Sequence, residues 1–274
     1  MGKSEFALGV SQRWRARREW RVPSGGVIDT RRYGVDIITE REAKAFVVDH
    51  HYSGSYPAAR LAVGLFERRG AVRQSELVGV AVFGVPMNQR VVPRYLGVEA
   101  NQGIELSRLV LLDRVPGNGE SWFVARAFRL LRHEKPEVVG VVSYCDPVER
   151  RTASGQILMP GHVGIIYQAL NGIYRGRGSA RTLWLSAEGT VISERTVSKL
   201  RQGDQGAEYA ERQLLSVGVP KRKAGENAGR WLSRIKDSGA LKAMRHPGNH
   251  VYAFGLTKGM RQNLGCSEAA LYPK

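Results

Sequence analysis

Two periods of apolar spacing alternate along this chain, and each change of period marks an element. Thr39 and Glu42 have the spacing of a helix-capping box, and REAKAFVVDH behind them carries a mostly helical pattern. That helix should end before the turn-rich HHYSGSYP. RLAVGLFER (60–68) and ELVGVAVFGVP (76–86) read as strands, and RGAVRQS between them predicts an antiparallel hairpin. NQRVVPRYLGVEANQG has Pro and Gly without a clear period and reads as a loop. A strand over 104–112, a glycine turn, a helix over 121–133 and a second strand in PEVVGVVSYCD follow. Strand–helix–strand with a short crossover predicts two parallel neighbours. RRTASGQILMP is a polar excursion, GHVGIIYQALNGIY reads as helical, and ARTLWLS as a strand.

After Ser186 the texture changes. SERTVSKLR, AEYAERQLL and ENAGRWLSRIKDSGALKAMR read as short basic helices with Gly breaks, and NHVYAFGL as a closing strand. At the other end, Arg13, Arg15, Arg17, Arg18 and Arg21 interleave with Trp14 and Trp20. This arm either meets phosphates and bases or packs on the domain through its indoles. The expected division is a basic arm over 1–34, a core over 35–190, and a basic helical segment with closing strand over 191–274, packed on the core.

Composition narrows the class. The chain has 274 residues, and 42% apolar content is ordinary for a folded protein. No stretch approaches the ~20 apolar residues of a membrane helix, and the first residues carry no apolar signal segment, so a cytoplasmic protein without a membrane partner is expected. Forty-two basic against twenty-five acidic residues leave +17, which attracts polyanions and makes a nucleic acid the leading partner. Two cysteines, Cys145 and Cys266, are too few for a disulfide framework or a structural zinc site. The basic candidates for DNA phosphates are Arg13, Arg15, Arg17, Arg18, Lys199, Arg201, Lys221, Arg222, Lys223, Arg230, Arg234, Lys236 and Lys242.

The glycine turn RVPGNG places Arg114, Gly117, Asn118 and Gly119 between a strand and a helix. Such a turn leaves the first helical N–H groups pointing outward with the positive end of the helix dipole. Glycine lets a phosphate approach the backbone, so the turn reads as a pyrophosphate cradle, with one donor fewer because Pro116 has no N–H. It lacks the Lys-Ser/Thr ending of a nucleotide P-loop. The order helix, two antiparallel strands, long strand, Arg-x-x-Gly-x-Gly, helix, strand resembles the GCN5-related N-acetyltransferase (GNAT) fold, a mixed central sheet flanked by helices. The resemblance spans about residues 36–187 and implies that this turn binds acetyl-CoA or another acyl-CoA.

HHYSGS (50–55), ELSRL (105–109), YCDP (144–147) and GHVGIIYQALNG (161–172), with LWLS and SERTVSKLR, resemble the bacteriophage Mom family of DNA-modification proteins. The likeness implies an enzyme in the host-cell cytoplasm acting on double-stranded DNA. It would convert adenine to N6-(carbamoylmethyl)adenine and so protect phage DNA from host restriction. It also implies an acyl-CoA site and iron. Carried onto this chain, the functional residues are His51, Tyr52, Arg108, Asp146 and Tyr167, with His51, Tyr52 and Asp146 as the metal set. His50 beside His51 leaves the histidine ambiguous by one position.

The residues themselves permit this and plainer readings. Asp146 ends the strand after the crossover helix, where ligands of open α/β sheets collect. A His, a carboxylate and phenols form a hard donor set suited to iron or manganese. Yet Arg108 could pair with Glu105 or Asp146, Tyr167 could be a core aromatic, and His51 could be a cap. A general N-acetyltransferase acting on a protein or small-molecule amine, or a nucleic-acid binder without catalysis, fits the same pattern.

Overall fold

The first helix begins where a threonine side chain can close it, and the rest of the chain follows from similar local choices. In the computed structural model of the chain the described residues are 13–15, 19–21, 27–51, 53, 55–69, 74–155, 157–159, 161–266 and 270–273. In chain order the elements are β1 (Arg13–Arg15), β2 (Glu19–Arg21), β3 (Tyr33–Ile37), α1 (Glu40–His50), β4 (Ala59–Arg69), β5 (Gln74–Gly84), α2 (Val91–Leu96), β6 (Gly103–Leu111), α3 (Gly119–Glu134) and β7 (Gly140–Cys145). They continue with β8 (Arg150–Arg151), β9 (Ile157–Met159), α4 (Ile165–Ala169), β10 (Ile173–Arg177), β11 (Arg181–Leu185), β12 (Val191–Ile192) and α5 (Glu194–Gln202). The last are α6 (Ala207–Ser216), α7 (Ala228–Asp237), β13 (Lys242–His246), β14 (His250–Gly255) and α8 (Lys258–Cys266).

The chain divides by its contacts into two units. One comprises residues up to Pro147, His162–Arg177 and Asn249 onward. Its centre is a seven-stranded mixed sheet in the order β10-β14-β7-β6-β5-β4-β3. β6 and β7 run parallel and their neighbours antiparallel. On one face α3 buries Phe123, Val124, Ala127 and Leu131 against Val63, Leu65, Phe83, Ile104 and Val141. On the other, α1 covers Ala62, Val80 and Val82, while α2 and α8 cover Val142, Val251 and Ala253. This is the mixed central sheet flanked by helices that the sequence predicts. Thr39 caps α1 as expected: its hydroxyl accepts from the Glu42 amide, and Glu42 reaches back to the Thr39 N–H.

The other unit comprises Val148–Gly161 and Gly178–Gly248. It holds a three-stranded sheet, β12-β11-β13, and the short β8–β9 pair. Val197, Leu200, Leu214, Trp231, Leu232 and Ile235 bring α5, α6 and α7 onto a core of their own. The Trp231 indole is fully buried and donates to the Pro220 carbonyl at 2.8 Å.

Four expectations need correction. Residues 88–103 are not all loop, because α2 forms there with Pro93 in its first turn, where the missing N–H costs nothing. The long helix expected over 161–174 is one short turn, α4, followed by β10. Gly164 (φ 80°) precedes it and Asn171 (φ 57°) follows, so left-handed residues end it on both sides. The end of ENAGRWLSRIKDSGALKAMR turns into β13 after Gly239 (φ 75°). The divisions expected at residues 34 and 190 do not match the contact units: β3 begins at Tyr33, and β14 is an interior strand of the large sheet.

Trp231→Ala should destabilise the protein by about 3–5 kcal/mol, the range for emptying a buried aromatic site. The shift in urea midpoint measures it, and a cost below about 1 kcal/mol would show that Trp231 does not anchor this core.

Candidate functional site

β6 and β7 pair only from Gly103↔Gly140 to Leu106↔Ser143, although β6 runs on to Leu111 and β7 to Cys145. The strands therefore part on their carboxyl sides. β6 also changes register against β5 between Leu106 and Arg108, leaving Ser107 as a bulge. Side chains alternate across a strand, so Glu105, in register with Val142, faces the side covered by α1 and α2. Arg108, in register with Val82, faces the same side, as does Tyr144 two residues after Val142.

Between the two helices this face gathers polar groups. Burial raises the Glu105 carboxyl pKa, against the pull of the Ser107 hydroxyl and the Arg108 charge. Burial also raises the Tyr144 phenol; Glu105 and Tyr95 push it further up, and Arg94 opposes them. The Tyr95 and Tyr144 rings meet edge to face at 6.4 Å. Sequence reasoning passed over Glu105 and Tyr144 as site residues. The available signal was Glu105 and Ser107, polar residues at period 2 that stand with Arg108 in a strand whose other side chains are apolar.

The loop after α1 joins this face. Arg108 donates from Nε to the Ser55 carbonyl at 3.1 Å and from a terminal nitrogen to Ser55 Oγ at 3.0 Å. Ser55 Oγ lies 3.4 Å from Ser53 Oγ, which lies 2.9 Å from His51 Nδ1. His51 and Arg108 are thus brought together through two serines. His51 is buried and is also the C-cap residue of α1, whereas His50 is exposed and packs on Phe46 at 4.6 Å. Tyr52 lies outside the described residues.

Asp146 follows β7 directly, and its carbonyl accepts from the His162 amide at 2.8 Å. Burial brings the His162 pKa down to about 4, against the pull of Asp146 and with a smaller push from His250. Buried His250 shares a 2.7 Å hydrogen bond with the Tyr174 hydroxyl. Tyr167 is buried, with its ring beside those of Tyr252 (5.4 Å) and Phe254 (6.2 Å).

At the glycine turn the expected donors have protein partners. Arg114 pairs with Glu67 at 3.1 Å and with Glu76. Asn118 Oδ1 accepts from the Ile28 amide at 2.8 Å, and the Gly119 amide donates to the Pro116 carbonyl at 2.8 Å. Neither Gly117 nor Gly119 is among the positive-φ glycines. Packing explains Gly119, since a Cβ there would lie 2.5 Å from Val115, while Gly117 has open space beside it. What remains for an anion is the positive end of a sixteen-residue helix.

The profile of the Mom protein family matches residues 32–274. The chain belongs to the Mom protein family. It is 29% identical over 169 residues to "Methylcarbamoylase mom" of Escherichia phage Mu, an alignment covering 61% of this chain. The match spans about three fifths, 62%, of that relative's own length. A solved structure, "Tandem GNAT protein from the clavulanic acid biosynthesis pathway (without AcCoA)", aligns with 70% of this chain and 53% of its own, at 13% identity and a TM-score of 0.34.

Of the expected metal set His51, Tyr52 and Asp146, Tyr52 lies outside the described residues. Among the described residues no group of three His, Cys, Asp or Glu could hold a metal ion. The Ser53 amide donates to His51 Nδ1 at 3.1 Å, and the Ser53 hydroxyl lies 2.9 Å from the same nitrogen.

The basic candidates divide in the same way. Arg234 grips Glu226 through two nitrogens (2.8 and 2.7 Å) and holds that carboxyl down at about 2. Arg222 pairs with Glu211 at 3.5 Å. Lys199, Arg201, Lys221, Lys223 and Arg230 have no ion pair among the described residues. Arg13 and Arg15 lie in β1, which pairs with β2, and Arg17 and Arg18 fall outside the described residues.

Glu105→Gln tests the buried carboxyl. A raised folded pKa means the unfolded chain ionises first, so stability falls as pH rises from the ordinary glutamate range to the raised value. The variant should match the parent near pH 3 and become the more stable of the two above that window. Identical stability–pH curves would show that the carboxyl is solvated.

Proposed function

We propose that this chain transfers a carbamoylmethyl group to the exocyclic N6 of adenine in phage DNA, in the host-cell cytoplasm, and so shields that DNA from host restriction. Membership of the Mom family over residues 32–274 carries the reading. The named activity of the phage Mu relative and the +17 charge support it. So does the crevice holding Glu105, Arg108 and Tyr144 beside the His51 loop.

The adenine amine is a weak nucleophile because its lone pair is delocalised into the ring, and the base must leave the duplex to be reached. The product is joined through its methylene carbon. The new bond therefore forms between N6 and that carbon, and the bond from that carbon to its leaving group breaks with the electron pair. One proton must leave N6. Glu105, whose pKa burial raises, is the acceptor we assign to that proton. Arg108, held by Ser55, orients the loop carrying His51, and Asp146 borders the crevice at the end of β7. The donor in this reading is a coenzyme A derivative whose methylene itself bears the departing group, its diphosphate at the amino end of α3. Plain acyl transfer from acetyl-CoA would form an amide at the carbonyl carbon, so the donor must be activated at the methylene instead.

Lys199, Arg201, Lys221, Lys223 and Arg230, with the amino-terminal arm, hold the DNA backbone in this reading. Affinity for duplex DNA should fall with a log–log salt slope of about −0.9 per phosphate neutralised. A flat affinity between low and moderate salt would remove these residues from the interface.

Mass spectrometry of nucleosides from DNA of an expressing host tests the chemistry. The native chain should yield N6-(carbamoylmethyl)deoxyadenosine, Asp146→Ala should yield none while remaining folded, and Glu105→Gln should lose about 10²–10⁴-fold in rate. A simple acetylated base, or undiminished product from Asp146→Ala, would overturn the assignment.

A further inference from the structure

On the face covered by α2 and α8, beside the crevice, lies an open groove of about 570 Å³. Arg94, Tyr95 and Gly97 form one bank, Arg175 and Gly176 another, and Asn263 of α8 a third. Among the described residues no carboxylate lines it. The exposed Arg94 guanidinium lies over the Tyr95 ring, 5.2 Å from its centroid, and makes no ion pair among the described residues. Burial lowers the Arg175 pKa, as it does for a cation taken partly out of water. Gly97 (φ 70°) and Gly176 (φ 80°) are left-handed, and nothing lies within 4 Å of where a Cβ would stand on either. Both therefore present bare backbone to the groove.

We propose that this groove holds a phosphodiester of the DNA strand next to the adenine being modified. The inference rests on the DNA-modification reading and extends it from the target base to the strand that carries it. Two guanidiniums, an amide and exposed backbone suit phosphate oxygens. Tyr95 is only 8% exposed and has Arg94 over its ring, so it offers no free face for a base, and the ligand is a backbone group. The position agrees. Tyr95 touches Tyr144, which adjoins Glu105, so the groove lies one aromatic contact from the proposed proton acceptor. A nucleotide turned out of the duplex has its own strand trailing past the rim of the pocket it enters. The coenzyme's diphosphate belongs instead at α3, on the opposite face of the sheet.

The test uses the full chain and two variants, Arg94→Gln and Arg175→Gln. Fluorescence anisotropy with a short single-stranded oligodeoxynucleotide containing one adenine reads strand binding, and calorimetry with coenzyme A reads the alternative source of phosphate. Arg94→Gln should weaken oligonucleotide binding about tenfold, reduce the salt slope by about 0.7, and leave coenzyme A binding unchanged. Arg175→Gln should act in the same direction. Arg94 is exposed, so its variant remains interpretable if Arg175→Gln fails to fold. Unchanged oligonucleotide affinity and slope would overturn the proposal, as would a loss confined to coenzyme A. Absence of modified nucleoside with the native chain would count against the DNA-modification reading alone, because the oligonucleotide measurement reads the groove independently.

Discussion

The seating of α2 on two glycines governs the functional half of the large sheet. A Cβ at Gly103 would lie 2.5 Å from Val92, and one at Gly140 would lie 3.0 Å from Leu96. Gly103 and Gly140 are also the first partners of the parallel β6–β7 ladder. The helix can press against the sheet only because both strands begin without side chains. That contact buries Val92, Tyr95 and Leu96 and sets the Tyr95 ring on Tyr144. The burial raising the Glu105 carboxyl and the position of Arg94 follow from the same close approach.

Charge is apportioned between scaffold and surface. Glu67, buried on β4, receives Arg32 at 2.9 Å and Arg114 at 3.1 Å, and so ties the start of β3 to the turn before α3. Glu226 does the same for Arg234 ahead of α7. Each acidic residue used in this way removes an arginine from service to a ligand. With 42 basic and 25 acidic residues, many cations remain without such a partner, and those are the ones available to a polyanion.

What the sequence disclosed was mostly local. The Thr39–Glu42 box, the β4–β5 hairpin and the β6–α3–β7 crossover depend on neighbouring residues and were legible. The place of β14 between β10 and β7 was not, because a run such as NHVYAFGL shows that it is a strand and not which strands flank it. His51 and Arg108 were legible as candidates, but the contact that joins them, Ser55 to Arg108, bridges 53 residues of sequence. For Tyr167 both a functional and a core reading stood open, because burial depends on distant partners such as Tyr252 and Phe254. Arg114 and Asn118 looked like ligand donors for the same reason: nothing near them in sequence announces Glu67, Glu76 or Ile28.

The chain passes between its two units at Pro147, Gly161, Arg177 and Gly248, and only then lays down β14. During synthesis, β7 therefore keeps one edge without its partner until residues 250–255 have been made, while the second unit can already bury Trp231. An edge strand left waiting in this way is a template for pairing with another chain. Yield in a host cell should therefore depend on how quickly β14 is delivered, and a chain stopped before His250 would lack an interior strand of the sheet.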